Sequence, residues 1–118
     1  MLFRSATLNR EDVIAGMKEA AERMGLDLED LQEMIVDVLE DCSEKAKILV
    51  EAAESGDSAQ IKTLAHDIKG ATANYGLPEA SGLALQIEKG HEDLPKEPIS
   101  QLVIHFEALM ELNLEQVE

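Results

Sequence analysis

The sequence predicts an all-α protein that folds as an antiparallel up-and-down four-helix bundle with an additional short N-terminal helix. Apolar residues recur every three or four positions along almost the whole chain, which is the period of an amphipathic helix. Gly and Pro residues divide this pattern into five segments, and short connections between amphipathic helices favour antiparallel neighbours. No stretch shows the alternation typical of a strand. We therefore predict one domain over residues 1–118, with helices at 9–24, 27–55, 57–75, 78–90 and 98–115.

Recognisable start and stop residues bound the first two helices. The apolar stripe of the first helix ends before Gly25, a residue suited to the left-handed conformation that terminates helices. The second helix begins after Asp27, a favourable N-cap, and stops at Gly56. This second pattern is long for a globular helix. We therefore predict a bend or break at Asp41–Ser43, where three residues of low helix propensity meet.

The last three helices follow from similar signals. Asp57 stands three residues before a glutamine, which is capping-box spacing, and Gly76 closes the third helix. Pro78 suits the first turn of the fourth helix, and Gly90 lies at its end. Residues 93–98 hold two prolines and predict an irregular link before the last helix.

Charge and composition exclude several functional classes. The chain has 10 Lys and Arg against 25 Asp and Glu, a net charge of −15, which disfavours nucleic acid and anionic membranes as partners. An apolar content of 45% argues against disorder. The single Cys42 excludes an intrachain disulfide and fits a reducing compartment. The first twelve residues lack the apolar run of a signal peptide, and no stretch is long enough to span a membrane. We expect a monomeric cytoplasmic protein.

The third helix carries the candidate chemical site. With Ile61 at zero and about 100° per residue, the large apolar residues of this helix lie within about 60° of zero, whereas His66 lies near 140° and faces solvent. Thr72 falls in the inward sector, which predicts a packing role. The outward sector also holds small and basic residues: Lys62, Lys69, Gly70 and Ala73.

The surroundings of His66 suit a phosphoryl acceptor. A neutral imidazole has one nucleophilic nitrogen if its other nitrogen holds the proton. Lys69 could neutralise phosphoryl oxygens. Gly70, one turn beyond His66, gives up about 1 kcal/mol of helix propensity relative to alanine and leaves room for another protein. In the alternative interpretation His66 is an ordinary surface histidine and Gly70 a tolerated weak point, and the spacing alone leaves both open.

Residues 65–77, AHDIKGATANYGL, resemble the signature of histidine-containing phosphotransfer (HPt) domains. These domains are four-helix bundles that act as intermediates in multistep phosphorelays. Their pattern is Ala-His-x-apolar-Lys-Gly, then small residues, then a second Gly six positions after the first. Every element is present: Ala65, His66, Ile68, Lys69, Gly70, Ala73 and Gly76. The order and lengths of the predicted helices are similar to the family over nearly the whole chain.

The resemblance implies a role for each matching residue. His66 would take a phosphoryl group from the aspartyl phosphate of a response-regulator receiver domain and pass it to another receiver. Lys69 would steady the phosphoryl oxygens, and Gly70 would leave space for the receiver. Glu88 occupies the position where many relatives carry a glutamine bonded to the imidazole. It would accept the Nδ1 proton and leave Nε2 as the nucleophile. The exposed residues expected to contact the partner are Lys62, Gly70, Ala73 and Asn74.

The resemblance also implies a phosphocarrier without its own ATP site. The chain has no Gly-rich nucleotide loop and no acidic cluster recognisable as a magnesium site. It would need no cofactor, because the partner receiver would supply Mg²⁺. Its partners would be receiver domains and a hybrid sensor histidine kinase, with no nucleic acid and no membrane.

Two other functions compete with this one. The chain could be an acidic helical module that docks a receiver or another signalling partner without accepting phosphate. Glu88 and His91 also have the Glu-x-x-His spacing of di-iron bundles, which require two such motifs. The other histidine of a late helix, His105, is preceded three positions earlier by Leu102, so a metal enzyme is disfavoured.

Overall fold

The computed structural model describes residues 8–116 of the chain. Five helices account for most of them, and no strand occurs in this range. The expectation that the first twelve residues form no signal peptide concerns residues that lie partly outside this range. The helices are α1 (Arg10–Met24), α2 (Leu28–Ser55), α3 (Ser58–Asn74), α4 (Pro78–Lys89) and α5 (Lys96–Met110), with a short 3-10 helix at His91–Asp93.

Helices α2 to α5 form a four-helix bundle around one apolar core. α2 packs against α3 and α5, and α4 packs against the same two helices. Within this bundle, consecutive helices are joined by short links at residues 56–57, 75–77 and 90–95. The chain therefore runs up and down. The core is mainly apolar, with Leu31, Ile68 and Phe106 wholly buried. The predicted fold class is therefore confirmed, except that α1, with 15 residues, is as long as α5.

Several helix boundaries follow the predicted capping residues, and Asn9, which the sequence analysis did not name, caps the start of α1. The side chain of Asn9 accepts a hydrogen bond from the Asp12 amide (2.8 Å), and that of Asp57 accepts one from the Gln60 amide (3.1 Å). Gly25 and Gly56 adopt the left-handed conformation at the ends of α1 and α2. Local capping thus determines where most of these helices begin and end.

The predicted break at Asp41–Ser43 is absent, because α2 is continuous from Leu28 to Ser55. Cys42 and Ser43 are both buried against neighbouring helices. The free energy of this packing outweighs their low helix propensity, which amounts to only about 0.7 kcal/mol per residue or less. Burial also raises the pKa of the Cys42 thiol to about 11, as expected for a cysteine packed in the core.

The predicted last helix, 98–115, was wrong at both ends. α5 begins at Lys96, since a proline in the first turn loses no intrahelical hydrogen bond. It ends at Met110, and residues 111–116 fold back across α1 and α2. Arg10 donates to the carbonyl of Leu112 (3.1 Å), and Gln32 donates to the carbonyl of Leu114 (3.1 Å). These bonds satisfy two backbone carbonyl groups of the segment that follows α5.

Two glycines bring α1 against the turn between α3 and α4. Gly76 has a φ of 75°, which an L side chain rarely adopts. A Cβ atom placed on Gly16 would lie 2.6 Å from the carbonyl oxygen of Gly76. The two backbones are therefore in direct contact, and this contact places α1 beside the outward faces of α3 and α4.

Candidate functional site

α3 presents His66 to solvent. Its inward positions are buried in the core, at Ile61, Ala65, Ile68 and Thr72. The His66 side chain, on the opposite face, is 65% exposed. This orientation is the one that the helical wheel predicts. It allows an incoming molecule to reach the imidazole without any change in the bundle.

Glu88 on the neighbouring α4 holds one nitrogen of the imidazole. Its Oε2 lies 3.0 Å from Nδ1 of His66, and its side chain is only 17% exposed. An ionised carboxylate can only accept hydrogen bonds, so a neutral ring carries its proton on Nδ1 and donates it to Glu88. The lone pair then lies on Nε2, which is the tautomer that a nucleophilic imidazole requires.

Lys69 completes a chain of three side chains with Glu88 in the middle. Its Nζ atom lies 2.8 Å from Oε1 of Glu88. This ion pair is the main reason that the pKa of Glu88 is lowered; desolvation opposes the shift, and the hydrogen bond from His66 adds to it. An ammonium group has three donors, so the bond to Glu88 leaves two for other acceptors. Sequence analysis had assigned Lys69 only to the phosphoryl group, and its pairing with Glu88 was not predicted.

The surface beside His66 is open. A Cβ atom on Gly70 would meet nothing within 4 Å, so packing within the described chain does not require a glycine there. The other residues expected to contact a partner, Lys62, Ala73 and Asn74, are all exposed. Thr72 is buried, and its hydroxyl donates to the Ile68 carbonyl (2.8 Å), which confirms the predicted packing role.

A groove of about 450 Å³ runs between α1 and the outward faces of α3 and α4. Lys69 lines it, so the groove is continuous with the His66 site. Sequence analysis did not place α1 near this site. The position of α1 depends on the contact between Gly16 and Gly76, which is visible only in the structure. The side chains that line the groove include Glu19, Arg23, Lys69, Ala73 and Leu85.

The contacts of His105 are separate from those of His66. His105 is buried in α5, beside Phe106 and with Nδ1 3.8 Å from Oε2 of Glu79. The side chain of His91 lies outside the part that the structure describes. Within that part, no three His, Cys, Asp or Glu side chains are grouped closely enough to hold a metal ion. Glu88, the other half of the Glu-x-x-His spacing, is engaged by His66 and Lys69. None of the helices between residues 8 and 116 has the length and apolar character needed to cross a membrane.

Comparison with known proteins gave one finding. A family model described as the Hpt domain matches residues 33–117. The matched region covers most of α2 and all of α3, α4 and α5, together with His66, Lys69 and Glu88. α1 lies outside it. The searches of curated proteins and of solved structures returned no significant match.

Proposed function

Because the chain belongs to the histidine-containing phosphotransfer family, we propose that it carries a phosphoryl group on Nε2 of His66 between receiver domains. Domains of this family act in histidine phosphotransfer and are carriers without an ATP site of their own. The observation that supports His66 most directly is its geometry. The ring is 65% exposed, and Nδ1 lies 3.0 Å from the Glu88 carboxylate, so Nε2 is the nitrogen left to react.

The proposed transfer is an in-line displacement at phosphorus. Nε2 of neutral His66 forms a bond to the phosphorus of an aspartyl phosphate, and the bond from phosphorus to the aspartate oxygen breaks. The aspartate leaves as a carboxylate, and the imidazole becomes a phosphorylated imidazolium that keeps its Nδ1 proton. Glu88 stabilises that positive charge through the hydrogen bond it already makes. Transfer to a second receiver reverses these steps.

Lys69 has two tasks in this proposal. Its ion pair with Glu88 holds the ammonium group beside the ring, and its two other donors bind phosphoryl oxygens during transfer. The receiver supplies Mg²⁺, and a hybrid sensor histidine kinase supplies the phosphoryl group upstream. We propose that the carrier acts as a monomer in the cytoplasm, where a lone cysteine stays reduced.

Labelling by phosphorylated receivers tests the function directly. The purified chain is incubated with each ³²P-labelled receiver domain of the same genome, and the label is followed on gels. We expect at least one receiver to transfer its label, in an acid-labile and alkali-stable form that peptide mapping assigns to His66. If receivers bind the chain but none labels it, the docking-module alternative is correct instead.

Lys69→Ala is expected to slow transfer by about tenfold to a hundredfold, because one charged donor to the phosphoryl group is lost. The phosphohistidine should also hydrolyse faster. Rapid-quench transfer from one receiver and the decay of isolated phosphoprotein measure the two effects. Lys47→Ala is the matched control, since Lys47 is an exposed lysine of α2 that is not among the residues expected to contact the partner. Unchanged rates and lifetime in Lys69→Ala would remove Lys69 from the mechanism.

Glu88→Gln separates the charge of Glu88 from its hydrogen bond. The amide oxygen still accepts the Nδ1 proton, so we expect transfer to slow only about threefold to tenfold through loss of the negative charge. Transfer kinetics equal to wild type would show that the charge of Glu88 has no part in the reaction.

The same variant has a pH signature. The pKa of Glu88 is lowered in the folded state, so its ionised form stabilises the fold above the unfolded-state pKa of about 4.3. That contribution disappears as the pH falls through the lower, folded-state pKa. In urea unfolding, Glu88→Gln should therefore be less stable than wild type at pH 7, and the difference should shrink below about pH 4. Glu107→Gln, at an exposed position of α5, is the control for the loss of one surface carboxylate.

Gly70→Ala should separate stability from partner access. Since a methyl group there meets nothing within 4 Å, the variant should be more stable by up to about 1 kcal/mol. Transfer from a receiver should nevertheless slow, because the methyl group stands where the partner approaches. Phosphoramidate, a small phosphoryl donor, serves as the control and should label the variant as fast as wild type. Normal transfer from receivers would mean that Gly70 does not provide clearance.

A further inference from the structure

We propose that α1 supplies a specificity-determining residue, Arg23, which binds a carboxylate of the receiver when it docks over His66. This inference rests on the proposed function and names a partner contact that lies outside the matched region 33–117. It follows from three features of the structure: the attachment of α1, the groove that α1 forms with α3 and α4, and the charges along that groove.

α1 is firmly attached beside the site. Met17 and Ala20 are wholly buried in the core. Gly16 contacts the backbone of Gly76, and Arg10 at the start of the helix donates to the carbonyl of Leu112. These contacts hold α1 at both its first turn and its middle. The backbone of its outward face is therefore held in place beside the site.

The groove joins α1 to the phosphoacceptor site. Its volume is about 450 Å³, and Lys69 lies on one side with Glu19 and Arg23 on the other. Its lining also contains small or apolar residues such as Ala73 and Leu85, which is 38% exposed. A receiver that brings its aspartyl phosphate to His66 and Lys69 thus faces this groove at the same time.

The positive charges along the groove favour an acidic group of the partner. Only 10 of the 118 residues are Lys or Arg, yet Arg23 and Lys69 both line this one groove. None of the ion pairs formed within residues 8–116 involves Arg23. An arginine fork suits a carboxylate of a partner, and it adds both rate and specificity to docking. Glu19, one turn earlier on α1, repels a carboxylate placed one turn out of register.

Charge reversal on α1 tests the proposal with a close control. Arg23→Glu and Lys18→Glu both replace an exposed cation of α1 by a carboxylate, but only Arg23 lines the groove. We expect Arg23→Glu to lower kcat/KM for transfer from a receiver about tenfold, mainly through KM, with an effect that weakens at 1 M salt. Lys18→Glu should stay within about twofold of wild type. Arg23→Gln removes the positive charge without placing an unfavourable negative charge at the C-terminal end of α1. It should lower kcat/KM less than Arg23→Glu does and more than Lys18→Glu does.

Two further measurements distinguish docking from chemistry. Phosphoramidate labelling and the phosphohistidine lifetime should be the same in Arg23→Glu and wild type, because Arg23 acts on the partner rather than on the phosphoryl group. If Arg23→Glu and Lys18→Glu transfer equally well, the Arg23 contact is refuted. If no receiver labels the wild type, the proposed function fails. In that case the Arg23 contact is tested by the affinity for receivers. Weaker binding by Arg23→Glu than by Lys18→Glu supports the contact, and equal binding refutes it.

Discussion

We expect His66→Gln to abolish phosphoryl labelling and to leave the fold intact. The glutamine side chain has no nucleophilic nitrogen, so transfer from any receiver should fall by at least about a thousandfold. The side chain of His66 is 65% exposed and contributes nothing to the core, so its replacement should leave stability nearly unchanged. The amide group of glutamine can still donate a hydrogen bond to Glu88, which also keeps its ion pair with Lys69.

The measurement compares labelling with folding in the same sample. Circular dichroism and urea unfolding should give wild-type curves for His66→Gln, while the gel assay shows no label. Binding to the unphosphorylated receiver should persist, because the docking surface is intact. A labelled His66→Gln protein would place the acceptor at another residue, and an unfolded one would contradict the solvent-facing position of this side chain.

Gly76→Ala is expected to destabilise the protein by about 2–5 kcal/mol. Two effects add at this position. Its φ of 75° is unfavourable for alanine, and the new Cβ would overlap the carbonyl oxygen of Gly16. Since the overlapping atoms belong to two backbones, no side-chain rotation can relieve the contact. A domain of this size has a total stability of about 5–15 kcal/mol, so the loss is a large fraction of it.

Gly25→Ala is the control that separates the two effects. Gly25 has the same φ of 75°, but a Cβ there meets nothing within 4 Å. Its replacement should cost only about 1–2 kcal/mol, the usual penalty for a left-handed residue. Urea unfolding of both variants gives the difference, which reports the contact between α1 and the α3–α4 turn. Equal losses would show that α1 does not press against this turn.

Residues close together in sequence were enough to predict most of the helices. Asp27, Asp57, Gly25 and Gly56 act through hydrogen bonds and dihedral angles within a few positions of themselves, so their effects are visible without the fold. The same is true of the exposure of His66, since the helical period alone assigns it to the face opposite the core. The predicted break at Asp41–Ser43 failed because burial against other helices overrode a weak local preference.

The composition of the site depended on how the helices pack against each other. Glu88 is 22 residues from His66, and only the register between α3 and α4 brings its two oxygens to Nδ1 and to Lys69. The resemblance suggested the contact with His66, but nothing in the spacing predicted the ion pair. Likewise, Arg23 reaches the groove because the Gly16 and Gly76 backbones touch. Periodicity and capping are short-range properties of the chain. Which side chains meet across helices is set by the packing of the whole core.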